Sequence, residues 1–81
     1  MESAFPENIL TRYAFYRLGS VPVRIAFNQN DDPFMAEIPS SENGRLIVDN
    51  SYIPDILIGA PDDLEEITEA EFEEILKTFQ G

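Results

Sequence analysis

Asn28, Asn30 and Asp32 stand at alternate positions, the spacing of the first three oxygen ligands in a helix–loop–helix calcium site. Pro33 falls where that loop needs glycine for its turn, and Pro39 falls where a bidentate glutamate closes the shell. The run is therefore expected to be a polar loop ending at Pro33, without a metal. Carboxylates are abundant, 16 in all, so residues for acid–base chemistry are present. An acid–base pair also needs a cleft that desolvates one carboxyl and raises its pKa, and an 81-residue chain has little interior from which to build one. Ser3, Ser20, Ser40, Ser41 and Ser51 have no histidine to activate them, and the only lysine is Lys77. With no cysteine and no histidine, thiolate and imidazole chemistry, haem and iron–sulfur ligation and the usual zinc sites are excluded. The four glycines form no phosphate-binding loop. A non-enzymatic protein without cofactor or metal is expected.

What remains is charge. The net charge is −11 and it is unevenly spread: residues 1–48 hold six acids and four arginines, whereas residues 49–81 hold ten acids against Lys77 alone. Such a chain repels phosphate backbones and anionic lipid, so direct binding to nucleic acid or to a membrane is not expected. Asp62, Asp63, Glu65, Glu66, Glu69 and Glu73 are read either as a solvated face that keeps a small protein soluble or as a ridge of carboxylates for a basic protein partner. Carboxylates three or four residues apart on a helix lie about 4.5–6 Å apart along its axis, loosely the spacing of successive phosphates. The sharper reading is thus a nucleic-acid mimic that occupies the DNA or RNA site of an enzyme. In charge and size alone, though in no motif, the chain is similar to small acidic phage-encoded inhibitors of restriction or CRISPR effectors. Arg12, Tyr16 and Arg24 form the second candidate surface, read either as ordinary rim packing in which the arginine stems cover apolar surface and their heads meet nearby acids, or as an exposed sheet face suited to partner binding or to a homodimer, because Tyr and Arg are enriched at interfaces.

These residues need a scaffold to position them. Thr11–Leu18 is aromatic-rich and reads as a strand, with a helix between Pro6 and Gly19 as its rival. After a Gly19-Ser20 turn, Val21, Val23, Ile25 and Phe27 alternate with Pro22, Arg24 and Ala26, the pattern of a second strand. Phe34–Ile38 and Arg45–Asp49 follow as strands, joined by the loop Pro39–Gly44. Tyr52–Ile58 is open between an edge strand, because of Pro54, and a short helix carrying Ile53, Ile56 and Leu57.

The C-terminal helix is the best-specified element. Thr68 and Glu71 have the spacing of a capping box, and Ile67 and Phe72 that of a hydrophobic staple. Phe72, Ile75, Leu76 and Phe79 make one apolar stripe, Glu73 can pair with Lys77, and Gly81 ends the helix. Residues 1–81 are accordingly expected to form a single small acidic α+β domain: an antiparallel β-sheet of three to five strands with one C-terminal α-helix packed on one face. Met1–Leu10 lacks the basic and apolar regions of a signal peptide, and a cytoplasmic protein is expected. The functional expectation is a protein–protein interaction module (an adaptor, regulator or inhibitor), with the nucleic-acid mimic as the alternative.

Overall fold

A computed structural model describes residues 8–59 and 61–80. Five strands, β1 (Arg12–Leu18), β2 (Val21–Phe27), β3 (Pro33–Pro39), β4 (Leu46–Val48) and β5 (Leu64–Ile67), form one open antiparallel sheet in the order β4-β3-β2-β1-β5. The chain is α+β, as the sequence indicates, and Thr11–Leu18 is a strand rather than the rival helix. β1 and β2 make a hairpin because Gly19 takes φ 62° at the first position of a two-residue turn, a conformation that suits the right-handed twist of the flanking strands. That turn sets the register, with Leu18 opposite Val21, Tyr16 opposite Val23 and Phe15 opposite Arg24. In the β2–β3 loop the Asn28 side chain accepts hydrogen bonds from the backbone N–H of Asn30 and Asp32, both at 2.9 Å, and donates to Asn8 Oδ1 at 2.8 Å. The buried Asn28 amide thus organises the turn, as expected of a polar loop.

β4 and β5 run in the same direction at opposite edges, so the chain between them must cross the sheet. It does so as a short helix, α1 (Tyr52–Pro54), continued by a π-helical turn over Asp55–Gly59. Pro54 is tolerated because it lies in the first turn, where its missing N–H would have no intrahelical partner anyway. Ile56 is buried and Tyr52 and Ile53 are half-buried, packing with Val23, Ile25, Phe27 and Ala36 on what is here called the crossover face. The ambiguous segment is therefore helical, and it covers a sheet face.

The helix α2 (Glu69–Gln80) covers the other face, the helix face. Thr68 N–H donates to Glu71 Oε1 at 3.0 Å and Glu71 N–H to Thr68 Oγ1 at 3.1 Å, so the capping box forms as expected. Phe72 is completely buried and packs at a tilt against Phe15 with ring centroids 5.2 Å apart, while Leu76 and Ile67 complete the cluster. Phe79, at the end of the stripe, stays 37% exposed. The helix ends on the β3–β4 loop: Gln80 Nε2 donates to Gly44 O at 3.3 Å, and a Cβ at Gly44 would lie 2.5 Å from Phe79 O. Gly44 is required there, since its φ of 76° and this close approach both exclude a side chain. Gly81 lies outside the described residues.

Two details differ from expectation. Leu64–Ile67 is a strand that the sequence does not announce, because Leu64 and Ile67 are three apart and flank two glutamates, a helical rather than an alternating pattern. The Glu73–Lys77 ion pair is absent; among the described residues the ion pairs are Arg12–Asp31, Arg17–Glu65 and Arg24–Glu37.

Candidate interaction surfaces

β5, the turn before it and α2 carry eight of the C-terminal acids, with Glu65 on the helix face of the sheet and Glu66 on the crossover face. Among the described residues β5 is an edge strand hydrogen-bonded only to β1, and its side chains alternate between the two faces. Glu65 lies opposite Arg17 and is ion-paired to it, and Glu66 lies opposite Tyr16. Asp62 and Asp63 form the turn that precedes β5, tied to the β1–β2 turn by Gly19 N–H donating to Asp63 O at 3.1 Å. Glu69 and Glu73 point from α2 away from its buried stripe, and Glu71 is held in the cap. Asp62, Asp63, Glu65, Glu66, Glu69, Glu71, Glu73 and Glu74 are all exposed. Among the described residues no three metal-ligating side chains converge. The carboxylates are strung along an edge and a helix, an arrangement that meets an extended basic surface better than a single ion. An open depression of about 390 Å³, lined by Arg17, Gly19, Asp62, Asp63, Leu64 and Glu65, lies at the β5 end of this edge.

The second expected surface does not assemble. Arg12 and Tyr16 share the crossover face, but the register that sets Tyr16 opposite Val23 sends Arg24 to the helix face. The two-residue turn at Gly19-Ser20 carries that information, since it fixes Leu18 opposite Val21 and every pair below. Each residue is also engaged. Arg24 Nε and Nη2 donate to Glu37 Oε1 at 3.0 and 2.7 Å, with the guanidinium 4.3 Å from the centroid of the Tyr13 ring. Arg12 donates to Asp31 Oδ1 at 3.0 and 2.8 Å and covers the Phe27 ring at 3.9 Å. Tyr16 is half-buried against the core that α1 and the π-turn cover, so the crossover face is not left open around it. Burial first, and then the Glu66 carboxylate, raise the Tyr16 pKa from its ordinary 10.0, with Arg12 opposing them.

A surface that the sequence reading passed over lies at the opposite edge. Ile47 and Val48 of β4 are 48% and 54% exposed, and among the described residues β4 pairs only with β3. The absence of any charge from Leu46 to Val48 was the available signal. Among the described residues no helix is long and apolar enough to cross a membrane. Compared with known proteins, the chain matches no family model, no curated protein and no solved structure.

Proposed function

We propose that this chain is a non-catalytic protein–protein interaction module, an adaptor, regulator or inhibitor, whose working surface is the acidic edge from Asp62 to Glu74. The observation that carries this reading is the run of eight exposed carboxylates on β5, its preceding turn and α2, with Arg17 as the one ion-paired counter-charge among the described residues there. Such an edge raises the encounter rate with a basic surface and discriminates against acidic ones. The linear spread of the carboxylates favours, as a second reading, a partner whose basic surface ordinarily holds DNA or RNA, which the chain would occupy as a mimic.

The test is capture of the partner from the native host, followed by measured association with wild type and with Glu66→Lys/Glu69→Lys/Glu73→Lys. The triple variant leaves the Thr68–Glu71 cap and the buried stripe intact, so its stability should change by no more than about 1 kcal/mol. Association should slow about tenfold or more, dissociation should change less, and binding should weaken as salt is raised. Salt-insensitive binding that survives the triple reversal would remove the acidic edge as the working surface. Displacement by added DNA or RNA would select the mimic, and indifference to both would leave the plain interaction module.

A further inference from the structure

We propose that β4 pairs edge to edge with β4 of a second copy of this chain, antiparallel and centred on Ile47, joining the two five-stranded sheets into one.

The backbone geometry comes first. Arg45 O accepts from Ser40 N–H at 2.7 Å and Asp49 N–H donates to Ala36 O at 2.8 Å, so the odd-numbered residues of this strand direct their peptide groups at β3. Alternation then turns the N–H and C=O of Leu46 and Val48 outward, where no strand among the described residues meets them. A two-fold axis beside Ile47 sets Leu46 opposite Val48 of the second copy. Each such pair exchanges two hydrogen bonds, while the two Ile47 side chains meet at the closer, non-hydrogen-bonded position. Pairing in this way covers Ile47 and Val48, which are 48% and 54% exposed in the single chain.

The charges fit the same register. Extending it by one residue puts Arg45 opposite Asp49 of the second copy, twice over, because Arg45-Leu46-Ile47-Val48-Asp49 is complementary to itself when reversed. Arg45 is the one arginine of the four without an ion pair among the described residues, in a chain with a large excess of acids. The two sheet edges differ in the matching sense. Glu65 and Glu66 interrupt β5 with charge, the usual protection against strand addition, whereas Leu46 to Val48 carry none. The acidic edge also lies at the far side of the sheet from β4, so the most strongly repelling groups of two copies are kept apart. Three residues a side bury less than a standard interface of about 1,200–2,000 Å², and the association is accordingly concentration-dependent.

Amide hydrogen exchange of the intact chain reads the pairing directly. From about 10 μM to about 1 mM protein, exchange at Leu46 and Val48 should slow by about tenfold or more, while other exposed amides stay unchanged. Ile47→Lys sets like charges opposite each other at a site already exposed, and should abolish that protection and leave a folded monomer by sedimentation. Arg45→Asp and Asp49→Lys should each weaken self-association about tenfold by opposing like charges, and an equimolar mixture of the two should restore it as a heterodimer. Asp49 also accepts from Ser51 N–H and Oγ, so should Asp49→Lys fail to fold, the Ile47→Lys and exchange measurements decide. Exchange at Leu46 and Val48 that does not depend on concentration would overturn the proposal, as would a dimer that Ile47→Lys leaves intact. Failure here leaves the acidic-edge reading untouched, because the two rest on opposite edges.

Discussion

The two faces of the sheet are covered by segments of different kinds. On the helix face, α2 is twelve residues long, is capped by reciprocal Thr68–Glu71 hydrogen bonds and inserts a completely buried Phe72 against Phe15. On the crossover face, the cover is one short helical turn and a π-turn, and Ile56 is its one buried side chain, with Leu57 39% and Ile58 83% exposed. Ser51, at the start of this cover, makes no capping hydrogen bond through its side chain; Asp49 and Asn50 supply the acceptors instead, to Tyr52 N–H at 3.3 Å and Ile53 N–H at 3.1 Å. Covering area and independent stability are thus separate quantities. α2 carries its own termination signals and would be helical wherever its stripe found an apolar surface, whereas 52–59 is helical because the sheet beneath accepts Ile56 and the chain must cross it.

The largest expected effect breaks the helix face. Phe72→Ala should cost about 3–5 kcal/mol, because the ring is fully enclosed and the gap it leaves has Phe15 and Leu76 on its walls. Urea unfolding read by far-UV circular dichroism measures it. A loss below about 1 kcal/mol would mean that α2 is not docked as described. Next, Ile56→Ala removes the anchor of the crossover segment and should cost about 2–3 kcal/mol, toward the low end for such truncations because the neighbouring side chains are exposed and the segment can settle. Its signature sharpens the contrast. Hydrogen exchange should accelerate over 52–59 while α2 keeps its protection, the behaviour of a cover that opens separately from the sheet. Uniform acceleration throughout the chain would show instead that the two faces unfold together. Smallest, Thr68→Ala removes the cap and should cost about 0.5–2 kcal/mol, with fraying confined to the first turn of α2. The same loss in a Phe72→Ala background would show that cap and ring act independently; a smaller one would show that the cap matters only once the helix is docked.

Elements whose signals are local were legible from the residues alone. The alternation of Val21 to Phe27, the Gly19-Ser20 turn and the Thr68–Glu71 box each specify backbone geometry through contacts within a few residues, and each forms where its residues place it. The acidity of the C-terminal part was equally legible, since charge counts need no fold. Features that depend on a neighbour distant in the chain were set only when the sheet assembled. Leu64–Ile67 is extended because β1 offers it a free edge, where Phe15 to Leu18 supply the hydrogen-bonding partners and Arg17 meets Glu65. Tyr52–Gly59 is helical because crossing from one sheet edge to the other lays Ile56 over Val23 and Ile25. The parting of Arg24 from Tyr16 belongs to both levels: the turn encodes the register, yet only the paired strands show that the guanidinium sits between Glu37 and the Tyr13 ring. The exposure of Ile47 and Val48 is tertiary in the strictest sense. Whether an apolar strand is a core or an edge is set by how many strands flank it, and that number is a property of the assembled sheet.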